Sequence, residues 1–147
     1  MDLILWRHAD AEDGIPDEAR KLTARGEKQA RRVAKWLTDR VPEDTLVIVS
    51  PARRAQQTAK AFRKDFKTCP EAGTGTMPTT LLKAAGWPER GGTVIVVGHQ
   101  PVVGQTVALL LTGEAGDWAF RKGAVWWLSS RGRGDVVVRA VVSPDLL

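Results

Sequence analysis

The sequence predicts an α/β fold: a three-layer α/β/α sandwich with a mainly parallel sheet and an antiparallel edge strand. Three observations carry that prediction. Three short apolar runs, residues 3–6, 46–49 and 94–97, have the length and β-branched content of strands buried on both faces. Each is followed by a stretch whose apolar residues recur at helical spacing, the strand–helix alternation of parallel pairing. Two more strand-like runs, 124–129 and 136–142, are joined only by Ser130-Arg131-Gly132-Arg133-Gly134, a turn too short for a parallel crossover.

The first strand, 3–6, opens onto a polar, acidic loop, Ala9-Asp10-Ala11-Glu12-Asp13-Gly14, that continues to Asp17. Thr23 is a good helix N-cap, and Ala30, Val33, Ala34 and Leu37 follow at the i, i+3, i+4, i+7 spacing of one buried face. Arg25, Lys28, Arg31, Arg32 and Lys35 cover the other side, the pattern of a solvated helix face. Pro42 ends this region ahead of the strand at 46–49. Ser50-Pro51 opens a second helix with proline in its first turn, packed through Ala55, Thr58, Ala59 and Phe62. Residues 67–78 hold Pro70, Gly73, Gly75 and Pro78 and read as loop. A short helix over 79–85 ends at Gly86, and Gly91-Gly92 leads into the strand at 93–97. Pro101 begins a last helix that runs to Leu111, with Val103, Val107, Leu110 and Leu111 as its apolar set and Gly113 just beyond. Trp126 and Trp127, adjacent in a strand, should point to opposite faces, and Trp6 reads as core. With no repeat or linker, residues 1–147 read as a single domain without a large cap insertion.

The 43% apolar content suits a packed core. Net charge is +5, from 22 Lys and Arg against 17 Asp and Glu, which favours anionic partners in general. The cations are scattered among acids with no aromatic residues threaded through a basic block, so no nucleic-acid partner is expected. Cys69, the only cysteine, excludes an internal disulfide and reads as an ordinary thiol. The amino terminus lacks signal-peptide character and no apolar segment is long enough to span a bilayer. A soluble, cytoplasmic protein without a membrane partner is expected.

The ends of the strands carry the chemistry. Arg7-His8 follows the first run, Ser50-Pro51 with Arg53-Arg54 the second, and Gly98-His99 the third; these are the only two histidines. Ligands of open α/β sheets sit at the carboxyl ends of strands. Two imidazoles and at least two guanidiniums there make a site for an anion, and a phosphoryl group is the expected one. His8 is the candidate nucleophile: a neutral imidazole nitrogen can attack phosphorus, and Arg7 beside it disfavours protonation. Arg7 and Arg54 would hold the transferred oxygens, because phosphoryl transfer needs charge neutralisation above all. His99 would add a hydrogen bond to a phosphoryl oxygen, and Gly98 permits close backbone approach. Ser50 has two readings, substrate contact or cap of the following helix, of which capping is the default. Lys122-Gly123 is placed near the pocket rim. Two histidines and one distant cysteine offer few metal ligands, so neither metal nor cofactor is expected.

Arg7-His8-Ala9, Ser50-Pro51-Ala52-Arg53-Arg54-Ala55 with Gln57-Thr58-Ala59, and Gly98-His99-Gln100-Pro101 together resemble the histidine phosphatase, or phosphoglycerate-mutase-like, superfamily. Leu22-Thr23-Ala24-Arg25-Gly26 resembles that family's first helix start. The length is similar to the small bacterial branch of phosphohistidine phosphatases. The resemblance implies a phosphoglycerate-mutase-like fold, transient phosphorylation of His8, a phosphate pocket of Arg7, Arg54 and His99, and no metal. Ala9 stands where the family commonly has glycine.

A second departure concerns the proton donor. Gln100 occupies the position of the acid in acid-phosphatase-like members, and the chain has no room for the glutamate-bearing insertion of mutase-like ones. Asp10, Glu12, Asp13, Glu71 and Glu89 are the open candidates. An alkoxide leaving group needs strong protonation, whereas imidazole, with a pKa of about 6.5, needs little. The expected partner is therefore a protein bearing phosphohistidine. The alternatives are a small phosphate ester turned over in the same pocket, or phosphate binding without catalysis.

Overall fold

The computed structural model describes residues 1–132 and 134–147; Arg133, in the expected final turn, lies outside the described residues. Six strands form one sheet: β1 (Asp2–Arg7), β2 (Leu46–Val49), β3 (Lys67–Thr68), β4 (Thr93–Gly98), β5 (Val125–Ser130) and β6 (Val136–Val142). Their spatial order is β3-β2-β4-β1-β5-β6. The first four are mutually parallel, β5 runs antiparallel to β1, and β6 returns antiparallel to β5 as the edge. Four helices join them: α1 (Ala24–Thr38), α2 (Arg53–Phe62), α3 (Pro78–Ala85) and α4 (Val102–Thr112).

Strand alternation divides the core into two halves. Ile4, Trp6, Val47, Val49, Ile95, Val97 and Trp127 face α1 and α2, meeting Val33, Leu37, Ala55 and Ala59. Leu3, Leu5, Ile48, Val94, Val96 and Leu128 face α3 and α4, meeting Leu81, Ala85, Val103 and Val107. The three layers are thus in place. Trp127 packs edge-on to Trp36 on one face while Trp126 stacks near Trp118 and Phe120 on the other. No helix among the described residues is long and apolar enough to cross a membrane.

Local signals hold at the helix ends. The Thr23 hydroxyl accepts from Gly26 N at 2.9 Å and caps α1. Gly86 and Gly113 end α3 and α4 at φ 73° and 86°, a left-handed conformation that costs glycine nothing. Two expectations change. Residues 67–78 are not all loop: Lys67–Thr68 pairs with β2, because even a two-residue segment satisfies that edge's backbone groups. Pro51 lies outside α2, which begins at Arg53 behind Ala52, so the Ser50 hydroxyl is not its cap.

Connections out of β1 run one way, across β4 to β2; those out of β4 run the other way, across β1 to β5. The sheet therefore switches direction between β1 and β4, where a crevice opens at the carboxyl ends. Their register pairs Arg7 with Gly98, so His8 and His99 emerge side by side.

Candidate active site

His8 is fixed by backbone bonds on both sides. Its N–H donates to Gly98 O at 3.0 Å, and its carbonyl accepts from Gly123 N at 3.1 Å. Its Nδ1 lies 2.7 Å from the Ala9 carbonyl oxygen. A carbonyl only accepts, so Nδ1 carries the ring proton and Nε2 keeps its lone pair. Arg54 Nε, in the first turn of α2, donates to that Nε2 at 3.3 Å. The His8 and His99 rings are 5.1 Å apart between centroids.

Arg54 is buried, 3% exposed, and holds Asp17 with its other nitrogens: Nη1 to the backbone oxygen at 2.8 Å and Nη2 to Oδ2 at 3.0 Å. Arg7 Nη1 donates to Phe120 O at 2.7 Å, while its buried Nε has no partner among the described residues. His99 Nε2 lies 2.7 Å from Ser50 Oγ, which also accepts from Ala52 N at 3.2 Å. With the Ser50 proton donated to Nε2, His99 keeps its own proton on Nδ1. In that tautomer the buried Nδ1, which has no partner among the described residues, is a donor available to an anion. The default reading of Ser50 as a cap is thus corrected. Its hydroxyl is bonded to His99 and orients that ring.

Burial, opposed by the bond to the Ala9 carbonyl and aided by His99, Arg54 and Arg7, pushes the His8 pKa down to about 3. Burial, then the Arg54 charge, pushes His99 to about 4. Both rings are neutral at neutral pH, so the nitrogen facing Arg54 keeps its lone pair. A cavity of about 240 Å³ opens here, lined by Arg7, His8, Arg54 and His99 together with Arg20, Gln100 and Lys122. All four residues expected to converge do so.

Of the candidate acids, Asp10 is bound to Lys122 at 2.7 Å and to the Thr23 hydroxyl at 2.7 Å, bonds that hold its carboxyl below the usual range. Glu71 accepts from Cys69 Sγ at 2.8 Å outside this cavity. Glu89 precedes Gly91-Gly92 at the amino end of β4, the opposite end of the sheet. Asp13 alone of the five lines the cavity, at its exposed rim; Glu12 does not reach it. Sequence reasoning missed Asp17, Arg20 and Thr74. They come from loops whose approach to His8 has no local signature, although Arg20 is three residues ahead of the Thr23 cap.

Neutral imidazoles and guanidiniums gathered at a sheet switch point define a phosphoryl-handling α/β protein. The chain belongs to the histidine phosphatase superfamily. Residues 3–73 match the family model "Histidine phosphatase superfamily (branch 1)". The chain is 33% identical over 124 residues to the phosphohistidine phosphatase SixA of Escherichia coli K12, covering 78% of this chain and 76% of that one. It is 33% identical over 132 residues to a phosphohistidine phosphatase SixA homolog of Haemophilus influenzae, 75% of this chain and 77% of that one. A solved structure of the protein histidine phosphatase SixA complexed with tungstate superposes with a TM-score of 0.81 at 27% identity, covering 99% of each chain.

Proposed function

We propose that this protein is a metal-independent phosphatase that removes phosphate from phosphohistidine on a protein, through a phosphorylated His8. The observation that carries the proposal is the His8 ring: Nδ1 pinned by Ala9 O and unprotonated Nε2 facing the Arg54 guanidinium. The likeness to SixA supports the substrate class.

The chemistry proceeds in two displacements. The Nε2 lone pair of His8 attacks phosphorus, the bond to the substrate imidazole breaks, and that imidazole leaves with a proton from solvent. Water then attacks the phosphorylated His8, the N–P bond breaks, and inorganic phosphate departs with the His8 nitrogen restored. Arg7 Nε and the Arg54 guanidinium neutralise charge on the equatorial oxygens in both steps, and neutral His99 adds a hydrogen bond from Nδ1. No buried carboxylic acid is required, because imidazole is a good leaving group. The segment between α2 and β4 folds against the sheet as β3 and α3, which supports one domain without a large cap. The reading assigns the cytoplasm and involves neither membrane nor nucleic acid.

The test is a labelled phosphohistidine protein incubated in a chelator. An acid-labile, base-stable phosphate on His8, absent from His8→Ala, is expected, with continued release of phosphate. Turnover by His8→Ala or loss of turnover in chelator would refute the mechanism. Asp13 on the cavity rim favours a second reading, an ester phosphatase with Asp13 as the acid. Faster turnover of simple phosphate esters than of phosphohistidine, lost in Asp13→Asn, would establish that one. Phosphate binding without turnover of any donor would leave a binding module.

A further inference from the structure

The phosphate pocket accounts for Arg7 and Arg54 but not for a stripe of cations on α1. Arg25, Lys28, Arg32 and Lys35 are all exposed. At 3.6 residues per turn they fall within an arc of roughly 80°, on the side opposite the buried Val33 and Leu37. None of the four forms an ion pair among the described residues. Arg25, at the amino end of the stripe, lines a second cleft of about 240 Å³ with Arg121 and Lys122. Lys122 also lines the catalytic cavity. The stripe, this cleft and the phosphate pocket therefore adjoin along one surface, on which cations outnumber the two acids of the cleft, Asp10 and Asp145.

We propose that this surface docks an acidic face of the phosphohistidine-bearing protein, a proposal that rests on the phosphohistidine reading above. The chemistry favours discrete carboxylates over a nucleic-acid backbone. Asp10 holds Lys122 at 2.7 Å and Asp145 lies 3.8 Å from Arg121, so acids interrupt the cations within the cleft. Evenly spaced phosphodiesters would meet those acids, and no aromatic side chain lines the cleft to stack a base. Separate carboxylates on a protein surface can pair with separate cations. Each exposed pair is weak alone. Together they raise the encounter rate and turn the phosphohistidine toward His8.

The test uses two phosphohistidine peptides of equal length, one with four aspartates flanking the histidine and one with four asparagines. Phosphoramidate serves as the small donor. The protein should prefer the aspartate peptide by about tenfold in kcat/KM at low ionic strength. The preference should collapse in roughly 0.3 M salt and in the triple variant Arg25→Gln/Lys28→Gln/Arg32→Gln, with phosphoramidate turnover unchanged. Equal kcat/KM on the two peptides, or a preference that survives in the triple variant, overturns the docking surface and leaves the phosphatase reading intact. If no donor turns over, the phosphatase reading fails, and anisotropy of the labelled, unphosphorylated aspartate peptide decides docking alone. Salt-sensitive binding that the triple variant loses supports it. No binding, or tighter binding of a single-stranded oligonucleotide of equal charge, overturns it.

Discussion

Acidification from pH 7 to pH 5 should unfold this protein more readily through His8 and His99. Both rings titrate at 6.5 in an ordinary environment, and in the fold they are pushed down to about 3 and about 4. Between those values the unfolded chain binds protons that the folded one refuses, so stability is complete above pH 6.5 and falls as pH drops. At pH 5 each ring costs about 1.4 kcal/mol for every pH unit below 6.5, about 2 kcal/mol, or roughly 4 kcal/mol for the pair. The window isolates the histidines. The carboxyls held low by hydrogen bonds and ion pairs, Asp2, Asp10, Asp17 and Asp145 starting from 3.8 and Glu71 from 4.5, are largely ionised in both states at pH 5 and add little to the drop. Urea denaturation at the two pH values measures the loss. His99→Gln, which cannot protonate, should halve the drop to about 2 kcal/mol. Equal stability at pH 7 and pH 5, or a full drop retained in His99→Gln, would refute the burial argument. The same shifts predict that the acid limb of kcat/KM shows no enzyme group near 6.5.

Arg54→Lys should reduce kcat roughly 100-fold, since an ammonium cannot both face His8 Nε2 and span the phosphoryl oxygens; steady-state kinetics on a phosphohistidine donor measures it. Ser50→Ala should lower kcat about tenfold with little change in KM, because His99 loses one orienting hydrogen bond of about 1.4 kcal/mol. In Gly26→Ala the new Cβ would stand 1.9 Å from the Asp10 carbonyl oxygen. Backbone cannot yield as a side chain can, so a loss of about 2–3 kcal/mol is expected in thermal melts, with displacement of the loop after His8.

Much of the architecture was legible because burial on two faces leaves a local mark. The runs at β1, β2 and β4 are continuously apolar, and Ala30, Val33, Ala34 and Leu37 repeat with the helical period. Arg7, His8, Arg54 and His99 could be named because each follows such a run. The edge pairing at Lys67–Thr68 could not be, since both residues are exposed and no pattern marks them. Nor could the bond from Ser50 to His99, which spans 49 positions.

From the chain alone came which residues would stand at the strand ends, since hydrophobic periodicity is a property of neighbours in sequence. Only the tertiary structure decided what each of those side chains does. The β1–β4 register set the 5.1 Å between the imidazoles, the Ala9 carbonyl chose the His8 tautomer, and Lys122 and Thr23 engaged Asp10. The physical reason is that hydrogen bonds and charge act through space over a few ångströms, and these partners are brought to that range only when the sheet closes.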